Sequence, residues 1–190
     1  MENNGYSAVW YPESRGYESM SLAACVLSSS EKLTIGSSIP NIYARDSFTA
    51  QRAMVSLNAH YGGRFILGLG VSHIPMVEGV RGHRYEKPLA AMSAYLDGIN
   101  KSAPLGELPP VVVAALGPKM LALSGAKSRG AVPYNVTPQH TAQAAAILGL
   151  RNGSQWSRRS RLKPIPRRRG RSDARNCRVT WCCRIIATAG

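Results

Sequence analysis

From Tyr6 to about Leu150, short apolar runs rich in β-branched residues alternate with stretches of helical period. That pattern predicts repeated strand–helix units. The predicted strands are residues 6–11, 33–39, 64–69, 111–116 and a weaker one at 130–134. After the second strand, Asp46 or Ser47 can cap a helix that places Ala50, Met54, Leu57 and Tyr61 on one face, and Gly62 and Gly63 stop it. Pro88 is pre-set for a first helical turn, and Leu89, Met92, Leu96 and Ile99 recur behind it at the helical period. Thr137 and Pro138 start another helix, with Ala144, Ala145 and Leu148 available to face a sheet. Five such units in succession favour a parallel sheet, either doubly wound or closed as a (β/α)8 barrel.

The segment 62–88, GGRFILGLGVSHIPMVEGVRGHRYEKP, is the most informative part of the chain. Its apolar run suits a strand covered on both faces, and Gly68 and Gly70 allow a ligand or a second backbone to come close. The polar loop that follows, 71–85, is longer than a connector needs to be. Gly68 and Gly70 also begin the dinucleotide-binding pattern G-x-G-x-x-G, but His73 stands at its third glycine, so that fingerprint fails. In a barrel, the active site lies at the carboxyl ends of the strands. Glu13 and Ser14, residues 38–41, residues 71–73 and Gly117 would then share one rim.

Charge changes the picture only at the end of the chain. Of the net charge of +14, residues 151–190 carry +11, from 11 Arg and 1 Lys against the single Asp173. Residues 1–150 have the near-neutral balance of an ordinary enzyme domain. The expected organisation is therefore a domain over 1–150 and a basic tail over 151–190, irregular or disordered. No C-x2-C pair recurs at zinc-ligand spacing, and Cys182 and Cys183 are adjacent, so neither a metal site nor a disulfide is expected. No apolar run is long enough to span a bilayer and residues 1–5 do not read as a signal peptide, so a cytoplasmic location with no membrane partner is expected.

Five segments in order, GYSAVWYPES, IGSSIPNIYARDSFTAQRA, the segment from Gly62, PPVVVAALGPKMLAL and GAVPYNVTPQHTAQA, resemble the luciferase-like flavin and deazaflavin oxidoreductases, specifically the branch that uses coenzyme F420. The resemblance covers roughly residues 2–149. It implies a (β/α)8 barrel, here partial with about five units, and hydride transfer between a deazaflavin, or FMN as the alternative, and a small organic substrate. It also implies that the deazaflavin ring rests on a bulge after strand 33–39, with Ser38 and Ile39 joined by a cis peptide bond. Gly70, Val71 and Ser72 would touch the cofactor, Gly117 and Pro118 would hold its phosphate at a helix start, and Arg45 matches a family arginine at the same mouth. His73 would handle a proton and Glu13 would shape the substrate pocket. The intact relatives it resembles suggest a homodimer.

Plainer readings stand beside these. His73, like His83 and His60, can be a solvated surface histidine. Arg45 can simply pair with Asp46 or Glu13, and Glu13 can cap a loop. The resemblance begins after a first strand and stops before the last ones, so a truncated and impaired, or inactive, enzyme is expected. A (β/α)8 barrel typically takes about 250 residues. The tail reads as the product of a frameshift in a GC-rich gene, or else as an arginine-rich arm that binds nucleic acid non-specifically through phosphates.

Overall fold

The computed structural model of the chain describes residues 2, 5–13, 16–101, 110–149 and 186–187. Five parallel strands, β1 (Ala8–Tyr11), β2 (Thr34–Ser37), β3 (Phe65–Leu69), β4 (Val111–Val113) and β5 (Gly130–Ala131), lie side by side in chain order. The helices α1 (Ser19–Ser28), α2 (Ser47–His60), α3 (Pro88–Lys101), α4 (Pro118–Lys127) and α5 (Pro138–Ile147) alternate with them. Parallel pairing demands crossovers, and each helix supplies one or follows one. All the strands therefore end on the same edge. In register, Val9 pairs with Ile35, Ile35 with Phe65, and Leu67 with Val111.

The core follows the strand period. Ile35, Phe65, Leu67, Leu69, Val111 and Val113 pack with Leu27 of α1, Met54 of α2, and Met92, Leu96 and Ile99 of α3. A smaller cluster of Ala115, Leu121, Ala131, Ala144 and Leu148 joins α4 and α5 to β5. Leu89, expected on the inner stripe of α3, is instead exposed, because the buried stripe runs through Met92, Leu96 and Ile99 with Ala91 and Tyr95 beside it. By the same alternation, Trp10 and Gly36 stand on the opposite face of the sheet, where the Trp10 ring covers Gly36 so closely that any side chain at 36 would run into it.

Several elements differ from expectation. Strands β4 and β5 are shorter than residues 111–116 and 130–134: after Ala131 the ladder takes only one further hydrogen bond, from Val132 N to Val113 O, before Pro133, which has no N–H to give. The loop after β3 contains a π-helical turn, Pro75–Val80, started by the His73 carbonyl, which accepts from Met76 N and Val77 N. Val77 is buried beneath it. In the basic segment, expected to be irregular, β6 (Ile186–Ala187) pairs antiparallel with β5, using edge groups that a last strand leaves open. The rest of 151–190, Cys177, Cys182 and Cys183 included, lies outside the described residues.

Local rules set the helix ends. Asp46 caps α2, its carboxylate accepting from Thr49 N at 2.9 Å and Thr49 Oγ1 at 2.6 Å. Gly62 and Gly63 end it with φ of +63° and +73°. Glu18 caps α1, accepting from Met20 N and Ser21 N. At the edge where the strands begin, the Arg64 guanidinium donates to Tyr61 O, Ser30 Oγ, Leu33 O and Leu27 O at 3.0–3.1 Å. That one side chain ties α1, the start of β2 and the end of α2 together.

These groups set the pH limits of stability. The bonds from Thr49 hold the Asp46 carboxyl below its ordinary value. Burial works against the Glu18 carboxylate, but the N–H groups of Met20 and Ser21, the Ser21 hydroxyl and Arg45 outweigh it and lower its pKa. Both contributions are present above the ordinary carboxylate range and lost as pH falls through the lowered values. On the alkaline side burial pushes the Tyr11 phenol up to about 12, and burial raises Tyr95 as well. The unfolded chain then loses protons from about pH 10 that the folded chain keeps, so stability should fall between about pH 10 and pH 12. Urea midpoints across that range should decline, and Tyr11→Phe should make the decline shallower.

Candidate functional site

The carboxyl edge of the sheet is irregular where β2 meets β3. Gly36 pairs with Ile66, and the ladder resumes at Asn41 with Gly70, so five steps on one strand match four on the other. That is a β-bulge, a device that re-aims side chains at sheet edges. Ile42 N donates to Gly70 O and Gly70 N to Pro40 O, both at 3.0 Å, which pins the bulge from both sides. The Ser38–Ile39 peptide bond within it is cis, as the resemblance implies. Ser37 Oγ accepts from Gly68 N at 2.9 Å, and the backbone of Ser37 lies where a side chain on Gly68 would project. The Ile39 side chain in turn fills the space that a side chain on Gly70 would need. Both glycines are thus required by the approach of the bulge.

A concavity lined by Trp10, Pro12, Ser38 and Tyr134 opens beside it. Gly117 and Pro118 stand on the same edge, two strands along, where Gly117 opens α4 without a side-chain cap. Val71 and Ser72 follow Gly70 directly, and Ser72 has a φ of +57°. His73 is exposed. Ser14, also expected on this rim, lies outside the described residues.

Charge concentrates on the same rim. Glu13 Oε2 accepts from Nη1 and Nη2 of Arg45, both at 3.1 Å, and Oε1 accepts from Arg81 Nη2 at 3.3 Å. The Glu13 side chain is 6% exposed and that of Arg45 12%, so this carboxylate is shielded and doubly compensated. Arg45 also donates to Glu18 at 2.8 Å, while Tyr95 OH donates to the Arg45 and Asp46 carbonyls. Of the two pairings open to Arg45, the one with Glu13 forms. Asp46 is engaged in capping α2.

Sequence reasoning left out several residues of this rim. Trp10 and Tyr134 line the concavity, Arg81 grips Glu13, and Tyr43 packs against His83 and Tyr85 with ring centroids 6.4 and 6.1 Å apart. Trp10 was reachable from its place on the face of β1 opposite the core. Arg81 carried no local signal, since its partner lies 68 residues away.

This architecture and this rim agree with the sequence relationships of the chain. The sequence model of the luciferase-like monooxygenases matches residues 1–154, and the chain belongs to that family. It is 27% identical over 93% of its length to a Mycobacterium tuberculosis protein provisionally named a coenzyme F420-dependent oxidoreductase, covering 58% of that protein. This match takes in a larger share than residues 1–150 make up, so it runs into the basic segment. A 5,10-methylenetetrahydromethanopterin reductase of Methanolobus tindarius is 27% identical over 68% of the chain, which covers 46% of it. The chain thus spans about half the length of these curated relatives.

Solved structures share the fold. The F420-dependent tetrahydromethanopterin reductase of Methanopyrus kandleri superposes with a TM-score of 0.63 at 19% identity, over 78% of this chain and 54% of its own. An F420-dependent secondary alcohol dehydrogenase, solved with an F420–acetone adduct, gives 0.65 at 15% identity, over 78% and 58%. The five parallel units are thus part of a (β/α)8 barrel architecture.

Proposed function

We propose that this chain forms the cofactor-seating part of a deazaflavin-dependent oxidoreductase, which passes hydride between coenzyme F420 and a small organic substrate. The bulge at residues 38–41, with Ile39 laid over Gly70 at the carboxyl edge, carries this reading. It presents a half-buried apolar side chain and a cramped backbone to one flat ligand face. The neighbouring concavity of Trp10, Pro12, Ser38 and Tyr134, about 40 Å³, is lined mostly by aromatic and apolar side chains and is too small to enclose a deazaflavin, so it would border the ring rather than contain it.

When bound, a deazaflavin supplies the hydride chemistry itself, and the protein contributes binding, orientation and electrostatics. Ser38 and Ile39 would support the ring from below, and Gly70, Val71 and Ser72 would border it. At the start of α4, Pro118 pre-sets the first turn but has no N–H to give, so the backbone N–H groups of Gly117, Lys119 and Met120 around it would be the ones to hold a phosphate. Arg45 holds Glu13 in place rather than facing the mouth alone, so Glu13 shapes the pocket from a fixed position. His73 would serve a proton at the rim, and FMN is the alternative cofactor. The partner of the reaction is a small organic molecule, and a homodimer is the proposed assembly.

The test is turnover. Reduced F420 incubated with the purified chain and a panel of carbonyl compounds should be oxidised faster than without protein, read by recovery of the oxidised chromophore. Oxidation at the background rate across the panel would contradict the reading.

The +11 charge of residues 151–190 favours a second, independent property. The chain should bind duplex DNA weakly and without sequence preference. If on the order of six of these arginines meet phosphates, log affinity should fall with log salt at a slope of about −5. Removal of residues 151–190 should abolish the retention. A sequence preference that persists at physiological salt would show a dedicated nucleic-acid arm instead.

A further inference from the structure

The segment between Ser72 and Lys87 is built differently from the other connections on this rim. It is organised internally: Gly82 N donates to Glu78 O, His83 N to Val77 O, Tyr85 N to Glu78 Oε1, and Tyr85 OH to Ser72 O. At both ends stands a non-glycine residue in the left-handed region, Ser72 with φ +57° and Lys87 with φ +44°. Such residues collect at switch and clamp positions, where a few dihedrals take up a motion. Ile74 and Val80 on the segment are each 55% exposed. They are apolar side chains with room to meet something that arrives at the rim.

Its attachment to the sheet is narrow. Among the described residues, the ion pair from Arg81 Nη2 to Glu13 Oε1 at 3.3 Å is the side-chain polar tie from this segment to another part of the rim. The remaining anchorage is apolar and aromatic, through buried Val77 and the tilted ring contacts of Tyr43 with His83 and Tyr85. Glu13 does not depend on Arg81, because Arg45 engages its other oxygen twice. The carboxylate is a fixed post, and Arg81, held to it by a single bond, is the movable member.

We propose that residues 73–86 form a lid hinged at Ser72 and Lys87 and latched to the rim by Arg81 on Glu13. Arg81 is a positioning residue: it sets where the lid rests and touches no reacting atom. What the lid covers rests on the proposed function, but the latch itself is a property of the ligand-free chain.

Hydrogen exchange of the ligand-free full chain, read by mass spectrometry, tests it. Arg81→Ala should raise exchange in peptides from 73–86 by roughly five-fold, the scale on which a partly shielded ion pair shifts a local opening, while peptides from β3 and α5 stay unchanged. Arg84→Ala should leave the segment at the wild-type rate, since among the described residues Arg84 pairs only with Glu86 nearby, and its side chain is 88% exposed. Glu13→Gln should accelerate the same peptides, and the double variant should exceed the single ones little, because both remove one tie. Unchanged exchange at 73–86 in Arg81→Ala would overturn the latch, as would acceleration spread equally over β3 and α5. Because no cofactor is present in this experiment, failure to bind F420 would leave its result intact.

Discussion

Arg64→Ala should destabilise the chain by about 3 kcal/mol or more, since charged hydrogen bonds contribute about 1.5–3 kcal/mol each and stranded buried carbonyls add a further cost. Four acceptors lose this donor at once, Tyr61 O, Ser30 Oγ, Leu33 O and Leu27 O, of which Leu27 O keeps the longer bonds from Ser30 N and Oγ at 3.4 Å. They come from the end of α2, the end of α1 and the approach to β2, so no single neighbouring side chain can replace the lost donor. A domain of this size is stable by about 5–15 kcal/mol, so the substitution removes a large share of the total. The melting temperature should drop by about 6–12 °C. Arg64→Lys should recover only part of this, because an ammonium cannot reach in the directions of the planar guanidinium. An Arg64→Ala variant with the wild-type urea midpoint would show that these carbonyls find water instead.

The second large effect is expected at Gly70. A valine there occupies the space of the Ile39 side chain, and forcing extra methyl groups into a packed site costs about 1–3 kcal/mol. The cost to function should exceed the cost to stability. Ile39 cannot stay over residue 70, and the bulge held by Ile42 N on Gly70 O and Gly70 N on Pro40 O must shift with it. Gly79, whose added side chain would meet nothing within contact distance, is the matched control. Gly79→Val should leave both stability and ligand binding near wild type.

Apolar period made most of the fold legible. Met54, Leu57, Met92, Leu96 and Ile99 are buried where their spacing places them, and Asp46, Gly62 and Gly63 mark the ends of α2 as capping chemistry requires. Strand ends were harder, because the length of a strand depends on its neighbours. Val111–Val113 stops where the ladder to Leu69 runs out, and Pro133 limits β5. The π-helical turn at Pro75–Val80 was hidden in a polar stretch with one buried apolar residue, Val77.

The site was legible in part. Gly68 and Gly70 announced a close approach, but only the family resemblance pointed to the cis bond at Ser38–Ile39. The bulge itself is an offset between two ladders, which no local pattern records. Glu13 and Arg45 were foreseen as alternatives between pocket and ion pair. Their union with Arg81 needed three rim segments in one place, and residue spacing cannot supply that.

The central claim is that the edge formed by Ser38, Ile39 and Gly70 seats a deazaflavin. Fluorescence titration of the full chain with oxidised coenzyme F420, run beside Gly70→Val and Gly79→Val, tests it most directly. The account predicts saturable binding by wild type and Gly79→Val, weaker than that of the longer relatives, and loss of most of that affinity in a Gly70→Val protein that remains folded. Equal affinity in all three proteins, or no saturation by wild type, would contradict it.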